Sequence, residues 1–161
     1  MKNIKIRPAV KKDTSEIFQA IKALAKYEKL EHEVVATEEM ISEEVFGKNS
    51  RIKVFVAEME DGKIAGISLV FYSFSTFLGR KGIYLEDLFV YPEFRGKGIG
   101  KALLKNLAKI CVSEKLGRLE WSVLDWNKPA IDFYESVGAG AQDGWTVYRL
   151  SGDSLKTFAD Q

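Results

Sequence analysis

The stretch Tyr84-Leu85-Glu86-Asp87-Leu88-Phe89-Val90, with Pro92 beyond it and then Arg95-Gly96-Lys97-Gly98-Ile99-Gly100-Lys101, decides how this chain is built. Its first half is a run of strand length that a proline ends, and its second half is a glycine-rich turn that opens a helix. That helix carries an apolar stripe of Ile99, Leu103, Leu107 and Ile110, and Gly117 is placed to close it. Leu119 to Leu124 then reads as another strand. Strand, crossover helix and strand make a parallel pair with a right-handed connection, and ligands favour the place where such strands diverge.

Outward from this unit, Ile52 to Met59 and Ile64 to Tyr72 are β-rich runs joined by Glu60-Asp61-Gly62-Lys63, a short-hairpin signal that predicts antiparallel pairing. Lys2 to Arg7 alternates with period two, and Pro8 is expected to end that first strand. Asp13 and Glu16 have the spacing of a capping box, ahead of an apolar stripe of Ile17, Ile21 and Leu24. Thr37 is placed to cap a second helix, with Glu38 and Glu39 at its positive end and Gly47 at its stop. Downstream, a helix from about Pro129 to Val137 ends at Gly138, and Trp145 to Leu150 supplies a last strand. No repeat, linker or low-complexity tract interrupts this order, so the expectation is one mixed α/β domain over residues 1–161.

The composition, 46% hydrophobic and 29% charged, is that of an ordinary globular chain. Lys and Arg total 24 against 23 Asp and Glu, so bulk charge attracts neither nucleic acid nor an anionic membrane. One His and one Cys cannot supply the usual four ligands of a zinc site, and the lone Cys makes no intrachain disulfide. No metal is expected. Met1 to Lys5 lacks the apolar core of a signal peptide, and no apolar run approaches the ~20 residues that span a bilayer. The expected compartment is the cytoplasm. His32 reads as a surface loop residue and Cys111 as a neighbour of the apolar stripe, so neither is a site candidate.

Glycines at 96, 98 and 100, set among Arg95, Lys97 and Lys101 at a helix start, let backbone N–H groups approach an anion at the positive end of the helix. A tight turn alone needs only one glycine. The nucleoside-triphosphate loop requires Gly, four residues, then Gly-Lys-Ser/Thr, and Arg95 and Ala102 occupy two of its required positions. The dinucleotide fingerprint wants its third glycine where Lys101 stands. Both of those phosphate ligands are disfavoured by spacing.

Arg95-Gly96-Lys97-Gly98-Ile99-Gly100 is similar to the Arg/Gln-x-x-Gly-x-Gly/Ala pyrophosphate motif of the GNAT superfamily of N-acetyltransferases, and the order of elements matches that superfamily along the whole chain. Ile6-Arg7-Pro8-Ala9, Leu24-Ala25-Lys26-Tyr27-Glu28, Tyr84 to Val90, Trp126-Asn127 and Phe133-Tyr134 resemble, more narrowly, the spermidine/spermine N-acetyltransferases and their thialysine-acetylating relatives. The resemblance implies a mostly antiparallel twisted sheet flanked by helices, with a parallel strand pair splayed at the acetyl-CoA site. It further implies that Leu88, Phe89 and Val90 pair with the pantetheine arm and that Gly96, Lys97, Gly98, Ile99, Gly100 and Lys101 hold the pyrophosphate of acetyl-CoA, with Arg95 beginning the loop. Asn127, Lys128, Pro129 and Ala130 would touch the same cosubstrate, and Tyr134 would be a general acid. Tyr27, Glu28, Glu86 and Asp87 would recognise the amine. Glu120, Trp121 and Ser122 fall where the family touches its substrate, and Asp143 and Trp145 resemble an acidic residue and a Trp near its C-terminal strand. A homodimer is implied as well.

A primary alkyl amine has a pKa of about 10, so attack on a thioester at neutral pH needs a proton acceptor. Glu86 can take that proton directly or through water, while a backbone N–H near Leu88 stabilises the oxyanion. Adjacent strand residues alternate faces, so Glu86 and Asp87 share a pocket only if the strand is bulged. The competing reading of the pair is a solvated sheet edge, yet the two acids interrupt an otherwise apolar run. Tyr134 is core packing or an acid for the departing thiolate. Residues 28–44 carry seven Glu and one Lys, which either attracts a cationic acceptor or coats a helix face. Small polycationic amines are the expected acceptors. The alternatives are acetylation of a protein lysine or N-terminus, and a non-catalytic acyl-CoA sensor.

Overall fold

In the computed structural model of this protein, which describes residues 4–161, five strands hydrogen-bond in the order of the sequence. The chain divides into two units, Met1–Ser122 and Val123–Gln161. In the first, β1 (Ile4–Pro8), β2 (Ile52–Met59), β3 (Ile64–Ser75) and β4 (Arg80–Val90) pair antiparallel in succession. β5 (Leu119–Glu120) joins β4 in parallel. Helices α1 (Thr14–Tyr27) and α2 (Glu38–Phe46) lie between β1 and β2, and α3 (Ile99–Ser113) makes the crossover from β4 to β5. This is the mixed, mostly antiparallel α/β sheet that the sequence predicts.

The strand period of two sorts the core onto two faces. Val54 and Val56 of β2 pack with Ile67 and Leu69 of β3, Phe89 of β4, Ile17 and Ala20 of α1, and Val45 of α2. Ala57 of β2 turns the other way and meets Ala65, with Ile99 and Leu103 of α3. Residues 64–70 of β3 are all buried because helices cover both faces. Fully burying side chains such as Ile17, Ile67 and Leu103 contributes about 1.5–3 kcal/mol each. Gly66 is fixed by proximity, since a Cβ there would lie 2.5 Å from the carbonyl oxygen of Phe89.

Several local expectations are corrected. Lys2 and Asn3 lie outside the described residues, and β1 ends at Pro8 as expected, with Pro8 itself still paired to Phe55. Asp13 makes no side-chain cap on α1, because its carboxylate is drawn onto Arg7 instead. Thr37 does cap α2, accepting from the N–H of Met40. α3 stops before Gly117: Lys115 takes the left-handed conformation at φ 55, and Leu116 N–H reaches back to the Cys111 carbonyl. The expected strand from Leu119 to Leu124 shrinks to two residues, paired with Ile83 and Tyr84.

In the second unit, α4 (Lys128–Ser136) is capped by Asn127, whose Oδ1 accepts from Ala130 N–H at 3.4 Å. The expected strand from Trp145 to Leu150 is absent: those residues are irregular and exposed, with Trp145 80% accessible. Alternation there is a local signal, and a strand also needs a partner to complete its ladder. A short helix that the sequence reading missed, α5 (Gly152–Ala159), follows.

Candidate functional site

The candidate acceptor side is made where β4 changes register. Leu85 stands opposite Val70 and Asp87 opposite Leu69, so Glu86 is an extra residue in β4, the bulge that two adjacent acids on one face require. Leu69 belongs to the core face that carries α1, and Asp87 shares that face. Burial, and then the charges of Glu86 and Glu28, push the Asp87 carboxyl up to about 6. Glu28, at the C-terminal end of α1, is half-buried and raised by that burial. Glu86 itself is exposed. The fold therefore gathers Glu28, Glu86 and Asp87 into one electrostatic cluster. Tyr27 is the last residue of α1, directly before Glu28.

The parallel ladder ends at Tyr84 and Glu120 while β4 continues to Val90. From Leu85 to Val90 that edge of β4 has no strand partner among the described residues, although the Val90 carbonyl on it accepts from Arg95 Nε and the Phe89 carbonyl faces β3. A bulge bends its strand and raises its twist, which accounts for a partner strand parting at this point. At the divergence, Tyr84 stacks on Phe71 at 5.2 Å and its hydroxyl lies 2.8 Å from Oγ of Ser122. Glu120 is drawn to Arg118, with 2.7 Å between Nε and Oε1, and Trp121 is half-buried.

The cradle lies at the start of α3. Gly96 and Gly98 have φ of 72 and 78, conformations that side chains with a Cβ rarely adopt, and no atom lies within 4 Å of where either Cβ would be. Gly100 has no such need, since a Cβ there would make ordinary contact with Val90 at 3.8 Å. Ile99 is buried in the core and anchors the first turn, while Lys101 is exposed. Lys97 Nζ donates to the Glu93 carbonyl at 2.8 Å. Open space above two left-handed glycines, backbone N–H groups at a helix start and nearby lysines fit a pyrophosphate. The side chain of Arg95 takes another direction: Nε donates to the Val90 carbonyl at 2.8 Å, and the guanidinium lies 4.8 Å from the Tyr27 ring centre and 5.6 Å from that of Phe89.

The remaining candidates belong to the second unit. Asn127 is buried at the start of α4, Lys128 pairs with Asp132 one turn on, and Pro129 occupies the first turn. Tyr134 is half-buried on α4, its ring 5.4 Å from that of Phe133. Asp143 and Trp145 are exposed. Sequence reasoning missed the Tyr84–Ser122 pair and the stacking of Arg95. Tertiary pairing produced both, and no local pattern signals either. Among the described residues no group of three or more His, Cys, Asp or Glu is placed to hold a metal, and no helix is long and apolar enough to cross a membrane.

Among the described residues, a mostly antiparallel sheet has one parallel pair that parts beside a glycine turn at a helix start, the architecture expected of the acetyltransferase class. The model of the acetyltransferase (GNAT) family matches residues 15–139, and the chain belongs to that family. It is 33% identical over 169 residues to the thialysine N-epsilon-acetyltransferase of Mus musculus, covering 99% of both chains. Over 108 residues it is 42% identical to an L-ornithine N5-acetyltransferase of Arabidopsis thaliana, covering 67% of this chain and 47% of that one. An integron cassette protein from the mobile metagenome of V. cholerae has the same fold at a TM-score of 0.84 and 30% identity, over 100% of this chain and 99% of that one.

Proposed function

We propose that this enzyme transfers the acetyl group of acetyl-CoA to a primary amine of a small acceptor that carries a second positive charge: a polyamine, a diamine or a thialysine-like amino acid. The observation that carries this reading is the acidic cluster, in which the Asp87 carboxyl is held at about 6 beside Glu28 and Glu86. Three carboxylates are more acidity than one proton transfer requires. The named activities of the relatives, on thialysine and ornithine, agree with it.

Bound acetyl-CoA supplies an activated acetyl thioester. Gly96 to Lys101 would hold its pyrophosphate, and on family resemblance the edge of β4 at Leu88, Phe89 and Val90, which has no strand partner among the described residues, would take its pantetheine arm, with the Val90 carbonyl already held by Arg95. Glu28 and Tyr27 hold the distal cation of the acceptor. Glu86 accepts the proton of the reacting ammonium, directly or through water, and Asp87 stays ionised above pH 6 and keeps the amine in place. Asn127 to Ala130 and Tyr134 enter on family resemblance: the former as cosubstrate contacts, the latter as the hydroxyl that gives its proton to the departing thiolate. Glu120, Trp121, Ser122, Asp143 and Trp145 enter as substrate contacts on the same ground. The resemblance also supports one catalytic domain over residues 1–161 and a homodimer, and sedimentation at the mass of a single chain would overturn the dimer.

A panel of acceptors at fixed acetyl-CoA tests the reading. A partly desolvated cation–carboxylate contact is worth ~1.5–3 kcal/mol, so putrescine, ornithine and thialysine should exceed butylamine in kcat/KM by about 10- to 100-fold at low ionic strength. Equal turnover of butylamine and putrescine would refute it.

A further inference from the structure

We propose that Arg95 is a positioning residue that couples the cosubstrate cradle to the acceptor end of the site, by clamping the last turn of α1 onto β4. The proposal rests on the reading of the cradle and the acidic cluster given above, and it concerns how the two communicate. Arg95 leads directly into Gly96 and Gly98, yet its side chain does not reach toward the cradle. Its Nε is tied to the Val90 carbonyl at 2.8 Å, and its guanidinium lies over Tyr27 at 4.8 Å and Phe89 at 5.6 Å. Phe89 is buried in the core between sheet and α1, so it is the fixed jaw of the clamp, and Tyr27 is the movable one. None of the ion pairs among the described residues involves Arg95, so its charge is spent on ring faces and not on a carboxylate.

What the clamp holds is the acceptor side. Tyr27 precedes Glu28, whose N–H closes α1 on the Leu24 carbonyl at 2.9 Å, and Leu30 N–H reaches the Ala25 carbonyl at 2.8 Å. Between them Lys29 stands at φ 61, a left-handed conformation uncommon for a residue with a Cβ. The end of α1 is therefore a sharply bent turn closed by its own backbone hydrogen bonds, and Arg95 packs on its last ring from the loop read as the anion cradle. Filling the cradle fixes Arg95, fixed Arg95 orders Tyr27, and ordered Tyr27 sets Glu28 for the acceptor's distal cation. By linkage, the acceptor must tighten cosubstrate binding by the same factor. The planar guanidinium is essential, because a lysine ammonium cannot stack on two rings while donating sideways to a carbonyl.

Hydrogen exchange of the backbone amides of residues 28–30 tests this without any acceptor, with coenzyme A itself as the probe at saturation for each variant. The expected result is a slowing of about 5- to 10-fold on coenzyme A binding in the native chain, falling below about 2-fold in Arg95→Lys and in Tyr27→Leu. Equal slowing in all three proteins overturns the clamp. With a diamine acceptor, each single change should raise the amine KM by about 5- to 10-fold, and the double change should do no more than the larger single one. Multiplying effects overturn it too. If the native enzyme acetylates no amine, the proposed function fails, while the exchange measurement still decides whether Arg95 couples the cradle to α1.

Discussion

The carboxylate of Asp13 lies 2.7 Å from Nη1 of Arg7 and does not cap the helix that it precedes. Asp13 also accepts from Val10 N–H at 2.8 Å, and Arg7 reaches on to Glu58 at 2.8 Å, so one guanidinium ties β1, β2 and the approach to α1 together. The Arg7 hydrogen bonds hold the Asp13 carboxyl below the usual carboxylate range, while Arg7 itself is raised. Arg7→Ala leaves a buried acid without its partner and should lower unfolding stability by about 2–3 kcal/mol, read as a lower denaturant midpoint. Because Asp13 has a depressed value, its contribution is complete above the unfolded value near 3.8 and is lost as pH falls through the lower folded value. Stability of the native chain should thus fall more steeply below pH 4 than that of Arg7→Ala.

Asp87 has the opposite sign. Its folded value is raised from 3.8 to about 6, so the stability linked to its proton is complete below pH 3.8 and lost as pH rises through 6. Asp87→Asn should therefore stabilise the protein at pH 8, by up to about 3 kcal/mol, and should weaken catalysis at the same pH. In the native enzyme kcat/KM should fall as pH drops through about 6, and that limb should vanish in Asp87→Asn. A pH profile flat from 5 to 8 would contradict the role given to this carboxylate.

Glu28→Gln and Glu86→Gln separate holding from proton transfer. The first should raise the KM of a diamine and narrow its advantage over butylamine, with kcat little moved. The second should lower kcat by roughly 10²-fold, and steady-state kinetics at pH 8 distinguishes the two patterns.

Tyr134→Phe removes one hydroxyl and nearly conserves packing. If that hydroxyl protonates the departing thiolate, kcat falls by roughly 10²-fold while the amine KM stays similar. A phenylalanine variant with native kcat, measured where chemistry limits turnover, would assign the proton to water.

Gly98→Val places a branched side chain at φ 78 and in the open space of the cradle. The strain should cost about 1–3 kcal/mol of stability, and calorimetric titration should show acetyl-CoA binding weakened by at least about 10-fold. Unchanged affinity in a folded variant would remove the pyrophosphate from this loop.

Much of the fold was legible because its signals are local. The run from Tyr84 to Val90, the alternating glycines and the stripe of α3 each report a local backbone conformation, and they stand close to expectation, with β4 beginning earlier at Arg80 and only Gly96 and Gly98 of the three glycines left-handed. The strand expected at Trp145 to Leu150 failed for the complementary reason, because alternation offers an edge but cannot provide the strand that pairs with it. The Asp13–Glu16 capping box failed because Arg7, six residues earlier on β1, binds the carboxylate more strongly than a helix N–H does.

The sequence by itself determined the class of sheet, the crossover that makes one strand pair parallel, and the glycine cradle, since these follow from hydrophobic period and from what residues without a Cβ permit. Only the tertiary structure decided that Glu86 is the bulged residue, that Asp87 titrates near 6 beside Glu28, and that Arg95 turns from the cradle to stack on Tyr27. Register, desolvation and side-chain direction are properties of pairs brought together from distant parts of the chain, and no stretch of it contains them alone.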